Sequence, residues 1–239
     1  MAQTIENFQM RFDLLQPWST FVMKTQLPSP IFEKMIKITD EIVENKESAT
    51  SAGEGLAGQI EDEFHIALNI LEQEELMVFF LNVCKTYAVQ AFCQTFPLSK
   101  EKYLKEEWQQ QLETEITYMW IVSQKDNEYN PIHTHTNSHL SAVMYLKIPE
   151  FLPVRKSHRD LDDGAIGFTN NVGKDPLWGN STITLRPQVG DFFIFPASQQ
   201  HFVYPFRTVD GRGERRSVSF NAVINNLQWE PAEPLKTVY

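Results

Sequence analysis

The chain of 239 residues carries 31 Asp and Glu against 21 Lys and Arg, a net charge of −10, and shows no basic stripe of the kind that sequence-independent nucleic-acid binding needs. A hydrophobic fraction of 42%, with 17 phenylalanines, suffices for one substantial core, so we expect a single domain over 1–239, with strand and helical support in 1–113, a β core in 114–226 and a tail in 227–239. Glu6, Arg11 and Asp13 break any apolar N-terminal run and no stretch is long enough to cross a membrane, so the expectation is a cytoplasmic protein without a signal peptide or membrane partner.

Phe8 to Gln26 reads as an extended segment interrupted at Gln16-Pro17-Trp18. Ser29-Pro30 then opens a helix, with serine as the cap and proline in the first turn, and Ile31, Met35, Ile38 and Ile42 carry it at helical spacing to about Asn45. The Ser, Ala, Thr and Gly of 46–58 read as a flexible surface loop. A longer helix is expected from about Glu63 to Gln94, where Ile66, Leu71, Leu76, Phe80, Val83 and Tyr87 form a broad apolar face that belongs in the core rather than against a partner helix. Cys84 and Cys93 fall on opposite sides of that helix, so neither a disulfide nor a cysteine zinc site is expected. After Pro97 the charged run Leu98 to Glu113 contains a short helix anchored by Trp108 and Leu112.

From Glu115 onward the period is that of strands. Short apolar runs are punctuated by Lys125-Asp126-Asn127, Asp162-Asp163-Gly164, Val172-Gly173-Lys174, Trp178-Gly179-Asn180 and Asp210-Gly211-Arg212-Gly213, a pattern of many short strands that means a sandwich or barrel. Within it, Asn130-Pro131-Ile132-His133-Thr134-His135 sets two histidines at i and i+2, on one side of an extended segment. His201 follows the strand signal Gly190 to Pro196, so two strands can offer three imidazoles to one metal ion with coordination positions left open. Alone, a His-x-His is as readily a solvated strand edge or a satisfied core pair. His139 reads as pocket rim or as a solvated residue.

In Glu214 to Ile224, Arg215, Ser217, Ser219 and Asn221 share one face, and Arg216, Val218, Phe220 and Ala222 the other. An arginine with a serine two residues on is a fork of donors suited to a carboxylate. The insert between Ile148 and Leu185 holds Arg155, Lys156, His158 and Arg159, a solvated loop or the border of a substrate entrance, and its Asp160, Asp162 and Asp163 could supply a carboxylate ligand.

The ordered set of Met119-Trp120-Ile121-Val122, 127–135, Ser141 to Leu146, the strand ending at Phe195-Pro196, His201, and Arg215-x-Ser217-x-Ser219-Phe220-Asn221 resembles the 2-oxoglutarate and Fe(II)-dependent oxygenases, over Ile116 to Ile224. The likeness is greatest to the hydroxylase branch common among marine phages and bacteria. The resemblance implies a mainly β fold with flanking helices: a double-stranded β-helix, or jelly roll, a cupin-like barrel that forms the catalytic core over 114–226 and is packed by the N-terminal helices. It implies Fe(II) held by His133 and His201, and 2-oxoglutarate bound through its distal carboxylate by Arg215, with Ser217 and Tyr145 beside it. Tyr145 reads equally as a core aromatic, and strand parity selects Arg215 over Arg216. Most members of the family carry Asp or Glu two residues after the first histidine. Here His135 stands there, either as a third ligand, which the pleat favours, or as a neighbour of the metal. The implied partners are molecular oxygen and a small-molecule or peptidyl substrate, hydroxylated as the oxo-acid is decarboxylated to succinate. A three-histidine metalloenzyme that does not use the oxo-acid, and a barrel that only binds, are the alternatives.

Overall fold

Alternation along the long strands sends neighbouring side chains to opposite faces of the sheet and into separate cores. The computed structural model describes residues 3–5, 8–10, 21–152, 162–170 and 181–225. In chain order the strands are β1 (Gln3–Ile5), β2 (Phe8–Met10), β3 (Met23–Gln26), β4 (Glu63–His65), β5 (Glu113–Gln124), β6 (Asn130–His133), β7 (Leu140–Lys147), β8 (Ile166–Thr169), β9 (Thr182–Leu185), β10 (Asp191–Pro196), β11 (His201–Val203) and β12 (Arg215–Asn225). The helices are α1 (Ser29–Glu44), α2 (Leu68–Gln73), α3 (Met77–Thr95), α4 (Lys100–Tyr103) and α5 (Glu106–Gln109).

A six-stranded sheet in the order β3-β10-β7-β12-β5-β4 faces a four-stranded sheet in the order β6-β11-β8-β9, and β1 pairs with β2. The two larger sheets are antiparallel and form the expected double-stranded β-helix, with the helices on the outer face of the larger one. That sheet is covered on both faces, which explains why β7 and β10 read as unbroken apolar runs. Phe192, Ile194, Ala142, Met144, Val218 and Phe220 point to the helices. Their neighbours Phe193, Phe195, Val143 and Tyr145 point to the space between the sheets, where Ile166, Phe168 and Val203 meet them. Phe80 of α3 stands edge-on to Phe220 at 5.6 Å and to Phe192 at 6.3 Å, pinning helix to sheet.

Several local expectations are corrected. Residues 63–94 are not one helix. Glu63–His65 is a strand that pairs with Val122, Ile121 and Trp120 of β5, and the helical part divides at Glu75, whose φ is +58°. There Leu76 N–H donates back to Leu71 O at 2.7 Å and closes α2 before α3 begins. Ser29 is the first residue of α1 rather than its cap; Pro28 occupies the cap position and no side chain caps the helix. The segment 46–58 contains two 3₁₀ turns, Lys46–Ser48 and Gly53–Gly55. The supposed insert 148–185 contributes β8 and β9 to the barrel, β8 lying directly beside β11. Cys84 and Cys93 are both buried free thiols.

Among the described residues no helix is long and apolar enough to cross a membrane. Gln16-Pro17-Trp18, Arg155, Lys156, His158, Arg159, Asp160, the punctuation at 172–174 and 178–180, and the tail 227–239 lie outside the described residues.

Candidate active site

The register of β6 against β11 sets His133 opposite His201, and the turn after β6 brings His135 beside them. The ring centroids of His133 and His201 are 4.2 Å apart, and those of His135 lie 5.2 and 5.1 Å from them. One nitrogen from each ring falls within 4.8 Å of the others, and His135 Nε2 is 3.3 Å from His201 Nε2. Among the described residues these three histidines are the sole cluster able to hold a metal ion. Asp162 and Asp163 are not part of it.

Outer contacts orient the rings. His133 Nδ1 meets Pro131 O at 2.7 Å and His201 Nδ1 meets Gln199 O at 2.9 Å. A backbone carbonyl can only accept, so both Nδ1 atoms carry the proton and both Nε2 lone pairs are free to face inward. His135 Nδ1 meets the Asn221 amide at 3.5 Å. Burial depresses the basicity of all three, His135 to about 4 and His201 to about 3, with His133 adding repulsion to each. The cluster is therefore neutral at pH 7, the state that metal ligation requires.

The cluster opens into a cavity of about 130 Å³ between the sheets. Its wall includes Arg215, Ser217 and Ser219 from one face of β12, and Tyr145 from β7. Tyr145 pairs in register with Ser217, and the Arg215 guanidinium carbon lies 5.2 Å from the Tyr145 ring centre. Arg215 is 1% exposed. It donates through Nη1 to Gly164 O at 2.7 Å, while its Nε and the Tyr145 hydroxyl have no hydrogen-bond partner among the described residues. No carboxylate among the described residues pairs with it. Arg216, one residue on, points away from the cavity, with Nε 2.7 Å from Glu214 and Nη1 on Asp40. His139 is exposed and outside the cavity wall; its Nδ1 accepts from Ile224 N–H at 2.9 Å.

Two features of the wall escape a reading of the sequence. The loop through Gly55, Leu56 and Ala57 covers part of the cavity, held by Gln59 N–H donating to Tyr129 O at 2.9 Å. Glu63 of β4 also lines it, although its segment reads as helix. The signal that would have found it is the alternation of polar and apolar residues in Glu63-Phe64-His65-Ile66.

Residues 118–221 match the family model described as "Putative 2OG-Fe(II) oxygenase", a segment that contains all three histidines, Tyr145, Arg215 and Ser217. Over these residues the barrel is similar to the 2OG-Fe(II) oxygenase family. Three solved structures are similar to this chain. AviO1 from Streptomyces viridochromogenes Tue57 is 8% identical, with a TM-score of 0.50, over 84% of this chain and 89% of its own. A prolyl-4-hydroxylase from Pseudomonas putida is 17% identical, with a TM-score of 0.48, over 84% and 91%. An oxidoreductase of the 2OG-Fe(II) oxygenase family from Burkholderia pseudomallei is 14% identical, with a TM-score of 0.36, over 56% of each chain, so this chain spans little more than half of that protein. At these identities the likeness is one of fold. No curated protein matches the sequence.

Proposed function

We propose that the protein is an Fe(II)- and 2-oxoglutarate-dependent dioxygenase that hydroxylates a small-molecule or peptidyl substrate, with His133, His135 and His201 holding the metal and Arg215, Ser217 and Tyr145 holding the oxo-acid. The observation that carries this reading is Arg215: a guanidinium 1% exposed, without a carboxylate partner, in the wall of the same cavity as the histidine cluster. A buried charge of this kind costs several kcal/mol unless something neutralises it. The distal carboxylate of 2-oxoglutarate supplies that charge, and the unpartnered Arg215 Nε and Tyr145 hydroxyl are donors waiting for an acceptor.

The residues fit both cofactors. Neutral imidazoles suit Fe(II), and Nδ1 contacts on the outer side keep Nε2 available. Bound together, Fe(II) and 2-oxoglutarate supply oxidative decarboxylation coupled to substrate oxidation. The chain's own contribution is placement. Arg215 and Tyr145 fix the far end of the oxo-acid, Ser217 adds a hydroxyl beside them, and Phe168 and Phe195 shield His201 with ring centroids at 6.3 and 4.7 Å. This packing excludes water from the reacting face. Free, buried Cys84 and Cys93 and the net charge of −10 support a cytoplasmic protein that does not bind nucleic acid.

His135, in place of a carboxylate, favours a second reading: a three-histidine metalloenzyme that makes no use of the oxo-acid. One titration separates the two. Apoprotein receives Fe(II) anaerobically and then 2-oxoglutarate, with the visible charge-transfer band of a chelated oxo-acid as the signal. The band should form in the wild type, vanish in Arg215→Ala with metal still bound, and vanish with the metal in His201→Ala. Metal binding without a band in the wild type supports the second reading, and no metal binding supports a barrel that only binds.

A further inference from the structure

Glu63 is a second charge-bearing group buried in the cavity wall. It is 2% exposed, sits opposite Val122 at the β4–β5 pair, and its carboxyl makes no hydrogen bond or ion pair among the described residues. The basic side chains nearby are engaged elsewhere. Lys46 pairs with Asp62 at 3.3 Å, and Lys125 Nζ donates to Ser123 Oγ at 3.1 Å. Glu128, the acid that faces Glu63, is itself held by Glu61 N–H at 2.9 Å and Lys125 N–H at 2.6 Å. Glu63 has no such donors. Burial, with Glu128 adding repulsion, lifts its carboxyl to about 7.

Three further facts bear on what this carboxyl meets. Glu63 stands outside the histidine cluster, so it is not a fourth donor of that group. The indole of Trp120 lines the same cavity and is 4% exposed, with Tyr118 5.5 Å away and the His135 ring 5.7 Å away. Finally, Leu56 and Ala57 close the neighbouring wall with apolar surface. A buried carboxylate and an indole in the wall of one cavity can together take an organic cation, since the anion supplies charge and hydrogen-bond acceptors while a ring face supplies quadrupole attraction.

We propose that Glu63 is the specificity residue of this site and that the substrate carries an ammonium or guanidinium group, which docks on the Glu63 carboxylate across the face of Trp120. The proposal rests on the oxygenase reading for its chemistry but not for its binding test. The molecule has a place for each charge: an anion, the oxo-acid, at Arg215 and a cation, the substrate, at Glu63.

The test uses two matched pairs of probes, n-butylamine with 1-butanol and n-butylguanidine with n-butylurea. Each is titrated calorimetrically into the anaerobic protein loaded with Fe(II) and 2-oxoglutarate, and again into the metal-free chain. The expected result is binding of a cationic probe at least about tenfold tighter than its neutral counterpart, with that preference lost in Glu63→Gln while the oxo-acid band persists. Equal binding of a cation and its neutral counterpart in the wild type, or no binding of either cation, overturns the proposal without recourse to a variant. A Glu63→Gln protein that keeps the cation preference, or that loses Fe(II) affinity instead, also overturns it, the latter by assigning the carboxylate to the metal's charge balance. Failure of the oxygenase reading would show separately, as a wild type that never forms the band.

Discussion

Arg215→Met should raise the stability of the cofactor-free protein while destroying its response to 2-oxoglutarate. Methionine has a similar reach and no charge. The wild type spends several kcal/mol to hold a dehydrated guanidinium. It regains about 1.5–3 kcal/mol from the charged hydrogen bond to Gly164 O and about 1–2 kcal/mol from the Tyr145 ring. If the dehydration cost exceeds what these two contacts return, the net change is a gain of about 1 kcal/mol or more. For a chain of this length each kcal/mol moves Tm by roughly 2–4 °C. Mass action predicts the opposite order once ligand is present. At a hundred times its Kd the oxo-acid adds about 2.7 kcal/mol to the wild type and nothing to the variant, so the two melting curves should converge or cross. Thermal melts with Mn(II) as a redox-inert stand-in, with and without 2-oxoglutarate, read both quantities. A variant less stable than wild type in the absence of ligand, and still stabilised by 2-oxoglutarate, would refute the reasoning that Arg215 is an uncompensated charge awaiting an anion.

Glu63→Gln should show a stability gain that depends on pH. The folded carboxyl at about 7 lies above its ordinary 4.5, so the native state binds the proton more tightly than the unfolded chain. Wild-type stability is therefore complete below pH 4.5 and falls as pH rises toward 7, by about 3 kcal/mol in all. Urea melts at pH 4.5 and 8 should find the variant's advantage at the higher pH alone, and an equal difference at both would contradict the shift. Asn221→Ala removes the amide that contacts His135 Nδ1 and should weaken Fe(II) binding by about 10-fold or more in a competitive chelator assay, leaving the fold intact. Phe80→Ala should cost about 3–5 kcal/mol in chemical denaturation, because the ring is fully buried between α3 and the sheet; a loss under 1 kcal/mol would mean that the helix is not pinned there.

The parts of the site that the sequence discloses are those governed by the two-residue period of a strand. His133 and His135 in an extended run, and the split of Arg215 from Arg216, need no knowledge of what lies beside them. The strand Glu63–His65 was hidden because Ile66 and Ile70, followed by Leu76, Phe80, Val83 and Tyr87, satisfy helical spacing, and its pairing with β5, more than fifty residues on, overrides that local pattern. Strand β8 was hidden for a similar reason. Ile166-Gly167-Phe168 is too short to announce itself, and its place is fixed by β11, with Phe202 seated against the bare backbone of Gly167. Glu63 was invisible as a site residue because a lone acid signals nothing until its surroundings show that it has no partner.

Arg215 and Arg216 are adjacent in β12, yet one faces the cavity and the other is locked to Asp40 and Glu214 on the opposite side. Their positions differ by a single step of the pleat, and the pairing of β12 with β7 already shifts register between Arg216 and Ser217. The turn at Asp210–Gly213 thus works as a reading frame for the strand after it. Loops on a barrel usually tolerate length changes, but here a one-residue deletion would drive the wrong arginine inward and leave Asp40 without its partner. Insertions or deletions engineered at this turn should be accepted in pairs of residues and rejected singly, however exposed the turn itself is.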